Sequence, residues 1–217
     1  MTKEDPVYLE WWNRHQAVAF WLDVNGEDPH MNEIVRFGAM PLNYRFERDK
    51  SRPFFGTEIR PDIPELVNMD CPSMVSLGKH RYTEICKRGI PQIELADYIL
   101  KFYDDLKVSC NKYGNPTRIL PVCFNFGLFY GFMVKLLGIH TYNHIFHPIH
   151  RDLLPLTAYF NDRYDARGQL VKFPKLDFLY ICSQMRIDTS NREPLGRCLQ
   201  LAECMRRLTY SANIEVM

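Results

Sequence analysis

The amino-acid sequence predicts one α/β domain: a mixed, mostly five-stranded sheet flanked by helices, with its first three strands in an antiparallel meander. Three observations carry that expectation. Two apolar runs, residues 19–25 (AFWLDVN) and 34–40 (IVRFGAM), are separated by a turn through Gly26 and Pro29, the pattern of a hairpin of buried strands. Leu95, Ile99, Phe102 and Leu106 recur at the spacing of one buried helix face,. Residues 119–124 form a third apolar run, which passes through Asn125 into a helical stretch over 127–137.

At 217 residues the chain can bury one substantial core and is short for two,. A hydrophobic content of 46% beside 24% charged residues is that of a soluble globular protein,. No apolar run approaches the roughly 18 uncharged residues of a membrane span. Residues 1–7 lack the basic-then-apolar order of a signal peptide, so a cytoplasmic protein is expected. Seven cysteines, at 71, 86, 110, 123, 182, 198 and 204, contain no C-x-x-C pair and read as reduced, mostly buried thiols,. Cys198 and Cys204 stand six apart on the last helix, hence on different faces, and read as core fillers,. A net charge of +1 argues against a broad phosphate-binding surface while allowing a local basic groove,.

Taken in order, residues 1–18 are a polar extension carrying Trp11 and Trp12, which pack on the domain edge or form a partner surface,. The hairpin runs to about residue 46. Residues 47–64 are charged and proline-containing, which favours an extended connection, with the third strand at 54–59,. Pro91 stands near the start of the long helix,. Residues 107–118 form a polar loop with a turn at Gly114-Asn115-Pro116, and 211–217 form a tail,.

Two places could carry chemistry. Asp23 ends a buried strand, where a carboxylate is costly unless it is paired, hydrogen-bonded or bound to a metal. His140, His144, His147 and His150 put four imidazoles in eleven residues, a set that could take zinc or copper,. No cysteine or carboxylate spacing completes a standard site there, and Pro148 interrupts any helix that would align them. A structural or solvated loop is the favoured reading.

Residues 20–40, FWLDVNGEDPHMNEIVRFGAM, resemble the first motif of the DnaQ-like (DEDDh) 3′–5′ exonucleases, which have a ribonuclease H-like fold. In that family an Asp-x-Glu pair on the first strand binds two divalent metals, and a second strand follows with an E-I-x-x-x-G-A pattern. Asp23 matches the Asp, and Glu33, Ile34, Gly38 and Ala39 match the second strand, but Asn25 stands where the Glu belongs. The second motif, Asn-x-x-Phe-Asp-x-x-Phe, is met by Asn125 and Phe132, with Leu128 for the first Phe and Phe129 for the metal-binding Asp. HRDLLPLTAYFND at 150–162 and residues 171–187 resemble the segments before the third motif, His-x-Ala-Leu-x-Asp-Ala. There Gly196 replaces the general-base His and Leu201 the Asp. The resemblance covers 19–210, and its spacing is that of phage-type members.

The resemblance implies a catalytically inactive exonuclease fold, since of its catalytic positions Asp23, Asn25, Phe129, Gly196 and Leu201 only Asp23 keeps the family residue. Two-metal hydrolysis needs several carboxylates around two cations roughly 4 Å apart. Losing the general base alone costs roughly 10²–10⁴ in rate. No metal cofactor is expected. Such a protein would act by binding a protein partner or single-stranded nucleic acid, as an inhibitor or decoy in the host cytoplasm of a phage, and could form a homodimer. The nucleic-acid cleft would comprise Asp23, Asn25, Asn125, Phe126 and Phe129, with aromatic faces for base stacking. The alternative is an active metal-dependent 3′–5′ exonuclease with a displaced site, Mg²⁺ or Mn²⁺ resting on Asp23 and Glu27. Glu203, about 200° around the last helix from Leu201, faces elsewhere.

Overall fold

The structure is a computed structural model and describes residues 16–106, 118–166 and 177–211. The expectations for Trp11 and Trp12, Cys110, the Gly114-Asn115-Pro116 turn and the tail from residue 212 lie outside the described residues.

Strands β1 (Gln16–Val24), β2 (Ile34–Leu42) and β3 (Phe55–Arg60) form the antiparallel meander. The first strand opens at Gln16, inside what the sequence assigns to an extension. Strand β4 (Ile90–Pro91) adds parallel to β3, β5 (Ile119–Cys123) parallel to β1, and β6 (Arg151–Asp152) parallel to β5. The order is β4-β3-β2-β1-β5-β6, a six-stranded mixed sheet where mostly five strands were expected. The two edge strands are only two residues long, too short to show a period of two in sequence,.

The central strands read as continuous apolar runs because helices cover both faces. All nine residues of β2 are buried. On one face Val18, Phe20, Val24 and Phe37 pack with Leu95, Ile99 and Phe102 of α3 (Gln92–Leu106) and with Phe129 and Phe132 of α4 (Phe126–Leu137). Helix α3 starts directly after Pro91, as expected from sequence. Before it, α1 (Pro72–Leu77) and α2 (Lys79–Arg88) enclose a small core of Val35, Met74, Tyr82 and Ile85. After α4 come α5 (Ile139–Ile145) and α6 (Leu153–Ala166).

On the other face Ala17, Ala19 and Met40 pack with α7 (Phe178–Gln184) and α8 (Pro194–Ser211). The six described cysteines are free thiols, five of them buried. Cys198 and Cys204 are both fully buried in this core, as core fillers on different faces of the helix. The wide contact of α8 with the sheet and with α7 covers more than one of its faces. Cys198 donates to the Ala19 carbonyl at 3.4 Å, and Cys204 Sγ lies 3.6 Å from Cys182 Sγ. Among the described residues no helix is long and apolar enough to cross a membrane.

Helix α8 can lie this close to the sheet because β2 offers no side chain at Gly38. A Cβ there would meet the Pro194 carbonyl carbon and Cβ, each at 2.9 Å. Both are parts of the helix start that cannot swing away. Gly38→Ala is expected to destabilise the fold by about 1–3 kcal/mol through overpacking, read as a lower urea midpoint. An unchanged midpoint would show that α8 is not held by this contact.

Candidate functional site

The sheet changes direction of winding between β1 and β5, and ligands of open α/β sheets sit outside the carboxyl ends of strands at such a point. A cavity of about 400 Å³ opens there. Trp21 and Asp23 of β1, Phe124 and Asn125 after β5, Phe129 of α4, Phe178 of α7 and Arg197 of α8 all line it.

Strand β1 carries Asp23 just before a slip in the β1–β2 register, directly across from Arg36. Arg36 Nη2 lies 2.6 Å and Nε 2.8 Å from Asp23 Oδ2, while the Trp21 indole donates to Oδ1 at 3.1 Å. Both charged side chains are only 4% exposed. Burial pushes the Asp23 carboxyl above the ordinary carboxylate range, and the Arg36 guanidinium and the indole pull against that rise. The pair survives in the interior because these donors replace the water that burial removes.

Arg197 is the arginine that lines the cavity. It is 2% exposed, and its Nη1 donates to Gln200 Oε1 at 2.8 Å. Gln200 in turn donates to the Asn191 carbonyl at 2.8 Å, which anchors the assembly to the loop before α8. The guanidinium carbon stands 5.8 Å from the Trp21 ring and 5.9 Å from the Phe178 ring, within cation–π range. Desolvation lowers its pKa below that of an ordinary arginine, and Asp23 opposes that fall. Trp21 and Phe178 themselves lie 4.5 Å apart, with Phe124 5.6 Å from Phe178.

Helix α4 is placed by its start. Asn125 takes a left-handed conformation at φ 63°, and its side chain caps the Leu128 amide at 3.3 Å. The Asp152 carboxylate of β6 receives the Asn125 and Phe126 amides at 2.9 and 2.8 Å. A carboxylate at a helix N-terminus is favoured there by the exposed amides and the helix dipole. The two-residue β6 thereby fixes the wall that carries Phe129.

Of the residues expected to form the cleft, Asp23, Asn125 and Phe129 are brought together. Asn25 is not. Its side chain is fully buried and accepts from the Glu33 amide at 2.6 Å, closing the turn between β1 and β2. Phe126 also leaves the cleft, because its ring stacks on His150 with centroids 3.5 Å apart and planes 1° from parallel. Phe129 lines the cavity yet is 2% exposed, packed on Phe20 at 5.1 Å and Phe146 at 5.7 Å. It fills the interior as core.

The two positions on α8 do not reach the cavity. A Cβ on Gly196 would overlap the Asn191 side chain and come 2.8 Å from its carbonyl oxygen, so a histidine has no room. Leu201 is fully buried beneath the sheet. Glu27 is exposed at the rim. Glu203 binds Arg206 at 2.7 Å and Arg207 at 2.6 Å, away from the cleft, and its carboxyl is held below the usual range by the Arg206 hydrogen bond.

The four histidines are dispersed. His144 stands edge-on to Tyr103, His147 Nδ1 accepts the Ile149 amide at 3.0 Å, and His140 is exposed. Among the described residues no three His, Cys, Asp or Glu side chains stand close enough to hold a metal ion.

Sequence reasoning missed Arg36, Arg197, Phe124 and Phe178. For Arg36 a signal existed, since it is the lone charge in a nine-residue apolar strand and such a residue needs an acid partner.

Removing Arg36 leaves a buried carboxylate without its counter-ion. Arg36→Ala is expected to lose about 3–5 kcal/mol of stability in urea unfolding, while Asp23→Leu combined with Arg36→Met recovers most of that loss. A loss under about 1 kcal/mol in the single variant would mean that the pair behaves like a solvated surface bridge.

No protein-family model and no curated protein matches this sequence. Similar solved structures are those of exonuclease I. The E. coli enzyme in complex with a dA16 oligonucleotide aligns with a TM-score of 0.65 at 12% identity, over 92% of this chain and 42% of that one. A product-bound exonuclease I gives 0.65 at 11% identity over 92% and 45%. An exonuclease I complex with SSB-Ct gives 0.58 at 11% identity over 92% and 43%. The chain thus spans less than half the length of the exonuclease I chains it matches. What these likenesses share with the chain is the backbone arrangement: a ribonuclease H-like α/β fold, the one seen in exonuclease I.

Proposed function

We propose that this chain is a non-hydrolysing protein of exonuclease fold that takes the end of an unpaired nucleic-acid strand into the cleft beyond β1 and β5. The observation that carries this reading is the commitment of Asp23. Its Oδ2 already accepts both Arg36 donors and its Oδ1 the Trp21 indole. Magnesium and manganese need oxygen ligands with free lone pairs in a defined shell, and the residues here do not fit them. Asn25 is turned into the β1–β2 connection, Phe129 fills its position with a ring, and the site of Gly196 has no space for a base. Hydrolysis through two metals therefore lacks its parts.

What the cleft offers is flat aromatic surface beside a guanidinium. Trp21 and Phe124, which are half-buried at the cavity wall, can stack on bases of any identity, a contact worth about 1–3 kcal/mol per base,. Exonuclease I has been seen with a dA16 strand, and a single strand is the ligand class proposed for this chain. Holding a strand end without cutting it would act as a decoy or block for enzymes that work on such ends. The exonuclease I complex with SSB-Ct makes a protein segment the second class of partner.

The test is fluorescence anisotropy of a labelled single strand with the full chain, in chelator and in magnesium. Binding is expected in both at the same affinity, weakening as salt rises. Trp21→Ala should weaken it about tenfold. Shortening of the strand in magnesium, abolished by Asp23→Ala, would overturn the proposal in favour of a true nuclease.

A further inference from the structure

The floor of the cleft holds an excess of positive charge. The buried ionisable groups acting on Arg197 are the Asp23 carboxylate, the Cys182 thiol and the Arg36 guanidinium, and Cys182 Sγ is engaged with Cys204 Sγ at 3.6 Å. That carboxylate is already bound to Arg36 on the neighbouring strand. Arg197 is thus a buried cation whose one buried carboxylate neighbour among the cavity-lining residues is bound by another arginine. Among the described residues its guanidinium makes one hydrogen bond, to Gln200, out of the five N–H donors that an arginine carries in a planar fork. The group lines the cavity, with Trp21 and Phe178 against its face. Glu27 and Asp177 also line the cavity, but both are exposed, and the Asp177 carboxylate caps the Tyr180 amide. Charges in solvent at the mouth are screened and do not neutralise the interior.

We infer that Arg197 is the receptor for a terminal phosphomonoester, so that the strand end held in the cleft carries a phosphate and not a bare hydroxyl. This rests on the strand-binding function proposed above. A terminal phosphate brings about −1.5 to −2 charges and three acceptor oxygens at neutral pH, which matches the spare donors of a guanidinium fork. It supplies the counter-charge that Asp23 cannot give to two arginines. A hydroxyl end brings no charge. An internal phosphodiester brings one, flanked by sugars that keep it from the floor of the pocket.

A mononucleotide offers the same chemistry, so the experiment separates the two. Strands of one sequence ending in a 3′-phosphate, in a 5′-phosphate, or in hydroxyls at both ends are compared by anisotropy against the full chain, with a nucleoside monophosphate and inorganic phosphate as competitors. One phosphate-ended strand is expected to bind about tenfold more tightly than the hydroxyl-ended strand. In Arg197→Gln that preference should fall to within about twofold, whereas Arg192→Gln, at an exposed position outside the cavity lining, should keep it,. If all three strands bind the wild type within about twofold of one another, the phosphate receptor is overturned and the cleft function stands. If no strand binds, both are overturned. A mononucleotide that competes as well as the phosphate-ended strand would assign the site to free nucleotides and overturn the strand end as its ligand.

Discussion

The ion pair between Asp23 and Arg36 is the constraint on which the rest of the cleft depends. A carboxylate at the end of a strand buried on both faces must be compensated. Here the compensation comes from Arg36 on the next strand, 2.6 Å from Oδ2 across the β1–β2 register, and from the Trp21 indole on Oδ1. The same contact fixes the end of the hairpin, so charge balance and sheet register are one problem with one solution. Replacing such a pair with apolar residues can be neutral, whereas removing one partner is severe. An isolated change at either position is therefore opposed by the fold itself.

The remaining walls follow from how tightly the helices approach. Gly38 admits the start of α8 against β2, and Gly196 admits the Asn191 loop against α8. Those two close approaches set Arg197 above Trp21 and aim Gln200 at the Asn191 carbonyl. Across the cavity, Asp152 gathers the first amides of α4 and holds Phe129 against Phe20. Where metals would need a ring of oxygen ligands, the interior presents rings and guanidinium groups. The likeness to exonuclease I is one of backbone, and function lives in sites carried by folds rather than in the folds.

Much of this architecture was legible in the sequence. The apolar runs of β1 and β2, the Leu95-to-Leu106 face of α3 and the β5–α4 step all appear where periodicity places them. The edge strands β4 and β6 were not legible, because two residues carry no period and their pairing is decided by what surrounds them. Asp23 stood out as a lone acid in an apolar strand. Its partner was readable in principle, from an antiparallel hairpin whose register sets Arg36 opposite it. Arg197 and Phe178 were not, since helices far along the chain bring them in. Asn25 and Phe126 were assigned to the cleft by their neighbours in sequence. A turn that needed a hydrogen-bond acceptor for Glu33 drew the first away, and a stack with His150 drew away the second.

We propose that Asp23, the deep carboxylate of the cleft, is closed to divalent cations because Arg36 holds it. Calorimetric titration of manganese into the full chain tests it most directly, with Asp23→Ala titrated alongside. No saturable heat in either protein is the predicted result. Stoichiometric manganese binding by the wild type that disappears in Asp23→Ala would contradict it, because the carboxylate would then have to exchange Arg36 for the metal.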